Sequence, residues 1–557
     1  MTRNYLSILA ETIRSNWDQP ALTDFYLTED GTAQDTSRGN RYTYGEMYAE
    51  ICRVADLLTS LGLQKGDHIA ICGANSAHWV IAYLAIAKMQ GVSVTVMHTL
   101  MPDEIARLVN FSDAKALFTD EDLWEELKNQ SLPQVENIIC LENFESLASR
   151  TSIIASIVPG ASSETSASSP SIVGFPQSNP DSLAMICYTS GTSGSAKGVM
   201  LSYKNISVTT ECVSKAYPPH RNKKILSYFP LAHAFGLGLE IVVPITSGCH
   251  IFLYRGELRA ESLLRAIRCV KPYLAVMVPT MIEKLADAGT LKLLLFKLLG
   301  IDYIVVGGSG LRSKVGKKMK KYRIPIAPGY GMTETVALIC LSIPSSYKAG
   351  TSGKVCDALT LRIADSGEIL VKGENVMLGY YKDPAATAAK IDSDGWLHTG
   401  DKGHLDEDGY LYVEGRLEQD IIVLPNGENI RPDNIESLIN ALPEVSESIV
   451  LARNGHLVAL VVPATPSSVS SASSVSSASS ASSVTSKSSV SSVSSASSET
   501  RASSATRASS PSSSLRRKIL RAVNPQLPLF SQLYDVEITD QPLARTEKQT
   551  IKRYLYK

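Results

Sequence analysis

The sequence lacks the long apolar runs of a membrane-spanning protein and the paired cysteines of a disulfide-rich or zinc-binding one. The apolar stretches Trp79–Ala87 and Leu291–Leu299 stop at or contain lysine, well short of the ~20 residues that a transmembrane helix needs. The 9 cysteines are scattered, without a Cys-x-x-Cys pair or a histidine cluster at metal-ligand spacing. We therefore expect reduced thiols and no transmembrane segment.

An excess of charge of either sign is also missing. Lysine and arginine total 54 against 55 aspartate and glutamate residues, so the net charge directs the protein neither to nucleic acid nor to an anionic membrane. The N-terminus has no apolar core of the kind found in signal peptides and reaches Glu11 early. These features predict a cytoplasmic protein with no nucleic-acid partner, and they leave peripheral contact with a membrane surface open.

What the sequence does contain is a loop rich in glycine and small hydroxyl residues at positions 188–199, Tyr-Thr-Ser-Gly-Thr-Ser-Gly-Ser-Ala-Lys-Gly-Val. Glycine lets the backbone approach an anion closely, serine and threonine hydroxyls donate hydrogen bonds to its oxygens, and Lys197 adds a positive charge. The apolar run Leu183–Cys187 before it predicts a strand. The pattern indicates a phosphate-binding loop, with a flexible surface loop as the alternative on composition alone.

This loop is not the P-loop of nucleotidases, in which lysine directly follows a glycine and precedes serine or threonine. Here Ser195 and Ala196 separate Gly194 from Lys197, and Gly198 follows the lysine. The order of residues instead closely resembles the phosphate loop of the adenylate-forming superfamily, which includes acyl-CoA synthetases, firefly luciferase and nonribosomal peptide adenylation domains.

Four further segments resemble the superfamily, in the same order along the chain. They are Tyr228–Gly236, Pro328–Thr335, Trp396–Asp401 and Tyr412–Arg416. The resemblance covers roughly residues 40–465 and the C-terminal tail, and it implies a site for ATP or AMP. The residues implied for nucleotide binding are Thr189, Ser190, Gly191, Thr192, Ser193, Gly194, Lys197, Gly308, Ser309, Gly329, Tyr330, Gly331, Met332, Thr333, Asp401 and Arg416.

The resemblance also implies a role for several of these side chains. Tyr330 would stack on adenine, and Asp401 would bind the ribose together with Arg416. Glu334 would be the protein ligand of Mg²⁺, a hard ion that prefers oxygen ligands. Thr333 is implied as a catalytic residue.

Each role has a structural alternative. His233, which the resemblance places near the acyl pocket with a catalytic role, could be a buried core histidine, and Tyr330 could be a core aromatic residue. Glu334 could cap a helix, and Asp401, which follows Gly400, could form a turn. The surrounding motifs favour the functional roles.

Hydrophobic periodicity predicts strands that alternate with helices. Thr43 and Glu46 form a capping box for a helix that Gly62 ends. The elements predicted after it are the strand His68–Cys72, the helix Ala77–Met89, the strand Val92–Met97, the helix Pro102–Val109 and the strand Ala116–Thr119. The alternation predicts an α/β fold with mostly parallel sheets covered by helices.

We predict two domains, an AMP-binding domain of residues 1–415 and a smaller, mobile α+β lid domain of residues 416–557. Residues 465–514 are almost wholly serine, alanine, valine and threonine and contain no aromatic residue, so they cannot bury a core. This Ser-rich insert divides the smaller domain into two ordered parts, Arg416–Ala464 and Leu515–Lys557.

The resemblance implies two half-reactions. A carboxylate attacks ATP to form an acyl-adenylate and pyrophosphate, and a thiol then displaces AMP to form a thioester. ATP, Mg²⁺ and coenzyme A are the implied cofactors and co-substrates. Two segments, Pro230–His233 and Ile421–Pro432, resemble the long-chain acyl-CoA synthetases, so a medium- or long-chain fatty acid is the leading substrate.

The C-terminal tail departs from the superfamily. Thr550 occupies the place of the catalytic lysine, and Lys548 and Lys552 lie two residues to either side. On an extended segment an offset of two keeps a side chain on the same face, so either lysine could substitute, with Lys548 favoured. Three functions stay open: an acyl-CoA synthetase, an enzyme that loads an acyl-carrier-protein thiol, and an adenylate-binding protein with impaired adenylation.

Overall fold

A computed structural model describes most of the chain. The described residues are 3–28, 34–35, 38–149, 169–189, 196–218, 221–256, 260–287, 290–308, 311, 313–416, 422–425, 428–464, 511–543 and 556. They form two compact units, Met1–Arg431 and Pro432–Lys557. The domain boundary predicted after residue 415 stays a prediction.

The helices among the described residues run in the following order. They are α1 Tyr5–Ser15, α2 Tyr44–Ser60, α3 Ala77–Lys88, α4 Pro102–Phe111, α5 Glu121–Leu127, α6 Tyr203–Ala216, α7 Ala234–Gly236, α8 Val243–Ile245, α9 Ala260–Val270, α10 Pro279–Asp287, α11 Thr290–Lys297, α12 Ser313–Lys321, α13 Pro384–Lys390, α14 Pro432–Asn440 and α15 Pro511–Val523. A π-helical turn, Leu237–Val242, joins α7 to α8.

The strands among the same residues are mostly short. They are β1 Pro20–Leu27, β2 Gln34–Asp35, β3 Arg41–Thr43, β4 His68–Cys72, β5 Val92–Thr95, β6 Ala116–Thr119, β7 Asn137–Cys140, β8 Ser146–Ser149, β9 Leu183–Thr189, β10 Lys197–Ser202, β11 Lys224–Ser227, β12 His250–Tyr254, β13 Leu274–Met277, β14 Tyr303–Val306, β15 Ile326–Tyr330, β16 Cys340–Leu341, β17 Lys354–Val355, β18 Leu359–Ile363, β19 Glu368–Gly373, β20 Gly379–Tyr380, β21 Leu397–Leu405, β22 Leu411–Arg416, β23 Ile422–Val423, β24 Asn429–Ile430, β25 Val445–Arg453, β26 His456–Pro463 and β27 Leu533–Ile538.

Two large sheets form the body of the first unit. One has the order β20-β10-β9-β5-β4-β6-β7-β8, and the other has the order β17-β16-β15-β14-β13-β11-β12-β1-β2, with β3 pairing β1. The central strands of both sheets are parallel, and the strands at the edges are antiparallel. The predicted α/β class with mostly parallel sheets is therefore confirmed.

The helix α3 shows how the two sheets are packed. Every residue from Ala77 to Ala87 is buried, and the helix contacts β4 and β5 of one sheet and β1 of the other. A helix that is apolar all round lies inside a core, not at a surface. The burial of α3 therefore accounts for the apolar stretch Trp79–Ala87. No described helix combines the length and hydropathy needed to cross a bilayer.

The predicted local signals agree closely with the elements observed. Thr43 caps α2 through a complete capping box with Glu46, and Gly62 follows the helix with φ 85°. The strands His68–Cys72 and Ala116–Thr119 have the predicted bounds. These signals are local, so they need no tertiary information to be recognised.

The second unit is a small α+β arrangement. Its sheet has the order β25-β26-β27, with an antiparallel pair followed by a parallel pair, and α14 and α15 pack against it. The predicted restart of order at Leu515 is wrong by one helical turn, because α15 already begins at Pro511. Proline is favoured in the first turn of a helix, where its missing N–H costs nothing.

Candidate active site

Several of the predicted site residues lie at one edge of the second large sheet. The adjacent parallel strands β13, β14 and β15 all end at this edge, and β11 lies next to β13. His233 follows β11, Gly308 follows β14, and Tyr330 is the last residue of β15. Ligands of open α/β sheets bind outside the carboxyl ends of their strands, so this edge is the candidate site.

The predicted phosphate loop connects two antiparallel strands. Thr189 ends β9, Lys197 begins β10, and the two residues pair directly. A P-loop instead joins a strand to a helix, so the connection agrees with the distinction drawn from the sequence. The residues Ser190, Gly191, Thr192, Ser193 and Gly194 lie outside the described residues.

Lys197 and Glu334 lie on either side of Tyr380. The Lys197 ammonium is 4.9 Å from the centroid of the Tyr380 ring, and the Tyr380 hydroxyl donates a hydrogen bond of 2.6 Å to Glu334 Oε1. Glu334 is only 7% exposed. Tyr380 thus bonds to a buried carboxylate through its hydroxyl and contacts a cation through its ring.

A single carboxylate suits Mg²⁺ in a nucleotide site, because the ion takes most of its other ligands from phosphate oxygens and water. Among the described residues no group of three or more His, Cys, Asp or Glu is arranged to hold a metal ion. Glu334 provides hard oxygen atoms, so it fits an ion that arrives with the nucleotide. Its assignment as the Mg²⁺ ligand stays a prediction.

Tyr330 and Asp401 form a second linked pair. The Tyr330 hydroxyl donates a hydrogen bond of 2.5 Å to Asp401 Oδ2, although the two residues are 71 positions apart. Asp401 is 7% exposed and lies opposite Arg416 in the β21–β22 register. The structure therefore brings together the residues predicted for adenine and for ribose. Their roles toward a nucleotide stay predictions.

At two positions of the site the backbone geometry requires glycine. A Cβ on Gly331 would lie 2.2 Å from the carbonyl oxygen of Ala337, so only glycine fits beneath the turn. Gly308 has φ 94°, a conformation that residues with a Cβ rarely adopt. Gly329 pairs with Leu341 across β15 and β16, which places it in the strand and not in a flexible loop.

The turn that follows Tyr330 contains backbone strain. Met332 precedes the 3₁₀ turn Thr333–Thr335, after which Val336 and Ala337 have φ values of 50° and 61°. The left-handed region is unfavourable for a β-branched residue and costs of order 1–3 kcal/mol per residue. Such strain persists only where the surrounding structure stabilises it.

Asn375 supplies that stabilisation. Its side-chain amide donates to the carbonyl oxygens of Thr335, at 3.0 Å, and of Leu338, at 2.7 Å. The residue is completely buried, so it bonds the two ends of the strained turn together. The sequence alone does not single out Asn375 or Tyr380. The one signal for Asn375 in the sequence is its position beside the apolar residues 376–378. That pattern is common in turns without a functional role, so it does not identify a site.

The segment that carries His233 is bonded to the first sheet. The Asn75 side chain donates to the Phe229 carbonyl at 2.7 Å and accepts from the Leu231 amide at 3.0 Å. The Thr95 hydroxyl donates to the carbonyl oxygen of Ala232 at 2.9 Å. The position of this segment is thus set by Thr95 of β5 and by Asn75, which follows β4.

A buried glutamate holds the beginning of the same segment. Glu240 Oε2 accepts hydrogen bonds from the Ser227 hydroxyl and from the Tyr228 and Phe229 amides, at 3.1, 3.0 and 3.0 Å. Glu240 is fully buried in the π-helical turn. Burial raises its pKa to about 8, even though the three hydrogen bonds lower it.

His233 faces a carboxylate. Its Nε2 lies 3.7 Å from Oε1 of Glu428, and about a third of its side chain (34%) is exposed. Burial lowers the pKa of the imidazole, but the Glu428 carboxylate outweighs burial, so the pKa of His233 is raised. His233 therefore has a carboxylate partner, and its role beside an acyl group stays a prediction. Glu428 was not predicted as a site residue.

Some predicted residues cannot be placed. Ser309, Lys548 and Lys552 lie outside the described residues, as does Thr550. The predictions for them are unchanged. The structure does bring together two sets of described residues, Lys197–Tyr380–Glu334 and Tyr330–Asp401. The turn that Asn375 stabilises joins these two sets.

Comparison of the sequence with known protein families identifies the family of this chain. Residues 9–381 match the family described as AMP-binding enzyme, and the match contains the β9–β10 loop, the Tyr330 turn and Tyr380. The chain belongs to the AMP-binding enzyme family.

Relatives of this AMP-binding enzyme differ in their named substrates. This chain is 27% identical over 448 residues to 4-coumarate–CoA ligase 3 of Arabidopsis thaliana, with 76% of this chain and 77% of the relative covered. It is 26% identical over 519 residues to a long-chain-fatty-acid–CoA ligase of Mycobacterium bovis, covering 83% and 82% of the two chains.

A solved structure confirms the fold. The o-succinylbenzoate CoA synthetase of Bacillus subtilis superposes with a TM-score of 0.70 at 22% identity, and the match covers 99% of this chain and 97% of that chain. The likeness extends over the large sheet-rich unit and the smaller C-terminal unit.

Proposed function

We propose that the protein activates a carboxylic acid with ATP and transfers the acyl group to the thiol of coenzyme A. In the first step a carboxylate oxygen bonds to the α-phosphorus of ATP, and the bond from that phosphorus to the pyrophosphate oxygen breaks. In the second step the thiolate attacks the acyl carbonyl carbon, and AMP leaves. The products are an acyl-CoA thioester, AMP and pyrophosphate.

The observation that carries this proposal is the linkage of the Lys197–Tyr380–Glu334 set to the Tyr330–Asp401 pair. The first set presents a cation and a carboxylate for phosphates and their metal ion, and the second presents an aromatic ring and a carboxylate for a nucleoside. Tyr330 and Glu334 are on one turn, so the two sets have a defined separation. Such positioning of charge contributes most of the catalysis in phosphate-transfer chemistry.

Each group has a defined task in the proposed reaction. Lys197 would stabilise the negative charge that moves onto pyrophosphate, and Glu334 would hold Mg²⁺, which neutralises phosphate charge when bound. Asp401 would accept hydrogen bonds from ribose hydroxyls while the Tyr330 hydroxyl holds its orientation. His233 would lie beside the acyl group, with Glu428 favouring its protonated form.

For the substrate we propose a medium- or long-chain fatty acid, on the basis of the segments Pro230–His233 and Ile421–Pro432. An aromatic acid is the second candidate, because a relative named as a 4-coumarate–CoA ligase aligns over three quarters of the chain (76%). Phe229 and Phe235 pack edge to face at 5.5 Å in the segment assigned to the acyl pocket. An aromatic wall suits either a flat ring or an alkyl chain.

Pyrophosphate release measured over a panel of acids tests the proposal. The panel contains medium- and long-chain fatty acids, 4-coumarate and 2-succinylbenzoate, each with and without coenzyme A. Release together with a CoA thioester supports the proposal and identifies the acid. Release without a CoA thioester, followed by acylation of an added carrier protein, would assign the acceptor as a carrier protein. ATP binding without release for any acid would indicate impaired adenylation.

The lysine of the C-terminal tail needs its own experiment. We infer that Lys548 takes the bridging role that Thr550 cannot perform, so Lys548→Ala should abolish pyrophosphate release and leave ATP binding intact. Thr550→Lys in that background should restore release. Loss on Lys552→Ala instead would assign the role to Lys552, and retention in both variants would exclude the tail from the chemistry.

A further inference from the structure

Two leucines at the C-terminal end of α11 project from the first unit. Leu298 is 80% exposed and Leu294 is 46% exposed, which makes them unusual among the large apolar residues that the structure describes. They are four residues apart, as are Thr290 and Leu294, and the Leu298 amide still donates to the Leu294 carbonyl, so all three lie on one stripe. Two adjacent exposed leucines form a small apolar ridge.

The neighbouring helix α12 is strongly basic. Between residues 290 and 323 the sequence contains 7 lysines and 2 arginines but one acidic residue, Asp302, whose carboxylate is paired with Lys223 at 3.1 Å. Val315, Gly316 and Met319 form the buried face of α12. The charged face is exposed at Lys314, Lys317 and Lys321.

These lysines have no acidic partner among the residues that the structure describes. Within the described part of the chain, none of the α12 lysines forms an ion pair with a carboxylate. Lys318 and Lys320 instead donate to the carbonyl oxygens of Ala286 and Tyr347. The positive charge of the exposed face is therefore not neutralised within the described structure.

The helices that carry the apolar ridge and the basic face meet at Tyr322. The Thr290 hydroxyl, at the start of the α11 stripe, is 3.0 Å from the Tyr322 hydroxyl, which directly follows α12. The Lys321 ammonium lies 5.8 Å from the centroid of the Tyr322 ring. Tyr322 thus connects the two helices, so the leucines and the lysines can contact the same partner.

We propose that α11 and α12 form a contact surface for an anionic lipid bilayer. Leu294 and Leu298 enter the headgroup region, and Lys314, Lys317 and Lys321 pair with lipid phosphates and carboxylates. Stable attachment to a membrane needs two such weak signals together. A nucleic acid would use the lysines but gain nothing from exposed leucines. The surface is independent of the proposed enzyme activity.

The test is sedimentation of the full-length protein with vesicles. The protein should bind vesicles of phosphatidylcholine containing about 30% phosphatidylserine, bind pure phosphatidylcholine weakly, and lose binding as salt rises. The triple variant Lys314→Gln/Lys317→Gln/Lys321→Gln should bind at least about tenfold more weakly. Leu298→Ser should also weaken binding to the anionic vesicles.

Matched variants distinguish this surface from general effects of charge and hydrophobicity. Leu529 is also 80% exposed, so Leu529→Ser should leave vesicle binding unchanged. A second triple variant, Lys65→Gln/Lys128→Gln/Lys215→Gln, removes the same charge elsewhere and should have little effect.

Three results would overturn the proposal. They are no binding to anionic vesicles, an equal loss in the control variants, and binding that Leu298→Ser leaves unchanged. The last result together with binding to a short RNA would assign the basic face to nucleic acid instead. Unaltered melting temperatures of the variants show that each is folded.

Discussion

Replacement of Asn375 should damage both stability and nucleotide chemistry. In Asn375→Leu the carbonyl oxygens of Thr335 and Leu338 lose their donors inside the protein, while a side chain of similar size remains. The two hydrogen bonds together contribute about 2–4 kcal/mol, including the cost of leaving acceptors buried and unpaired. The loss is partly offset, because Asn375 Oδ1 itself has no hydrogen-bond partner among the described residues.

This free energy converts into a measurable change in melting temperature. Unfolding entropy of about 2.1 cal/mol/K per residue, applied to the unit that ends at Arg431, gives about 1 °C per kcal/mol. Asn375→Leu should therefore melt about 2–4 °C lower. Asn375→Asp should melt lower still, because a carboxylate would place further acceptors against the two carbonyls and would bury a charge.

The same variants should slow adenylate formation. The turn carries Thr333 and Glu334, and a displacement of about 1 Å in a positioned group can cost as much as 100-fold in rate. Pyrophosphate release at saturating ATP should fall by about 10- to 100-fold in Asn375→Leu. Calorimetry and a coupled pyrophosphate assay on the same preparations provide both quantities.

Asn205 provides a matched control within 3 Å of the same segment. Its amide donates to the carbonyls of Glu374 and Val376, at 2.8 and 2.9 Å, and none of its described hydrogen bonds reaches the strained turn. Asn205→Leu should lower the melting temperature and leave the rate of pyrophosphate release nearly intact. An equal loss of rate in both variants, or an unchanged rate in Asn375→Leu, would refute the positioning role.

Three other perturbations follow from the structure. Lys197→Ala should slow adenylate formation by about 100-fold or more but affect thioester formation from supplied acyl-adenylate much less, and equal losses would reject its assignment. Glu428→Gln should lower the pKa of His233, measured by NMR titration, because the carboxylate is what raises it; an unchanged pKa would contradict the pairing. Burial lowers the pKa of His250 to about 4, against about 6.5 in an unfolded chain, so its contribution to stability is present above about pH 6.5 and is lost as pH falls toward about 4. His250→Gln, which can keep the 2.8 Å contact with Thr23, should show a smaller drop in melting temperature between about pH 7 and about pH 5 than the unaltered protein.

Much of the secondary structure of this protein can be predicted from its sequence. The capping box at Thr43, the strand His68–Cys72 and the helix that begins at Ala77 depend on residues close together in the chain. The start of α15 is not readable in this way, because Pro511 lies in a Ser-rich segment whose composition alone predicts no structure. Pro511 and the serines after it favour the start of a helix only because an amphipathic helix follows them and packs against β27.

The sequence by itself determined the distinction from a P-loop and the alternation of strands and helices, and it predicted the phosphate-binding loop, because these depend on residue order and spacing within short windows. Only the tertiary structure decided that Tyr330 bonds to Asp401, that Tyr380 links Lys197 to Glu334, and that Asn375 stabilises the strained turn. Those contacts join residues far apart in the chain. Their partners follow from the order and register of strands in the two sheets, which no local pattern specifies.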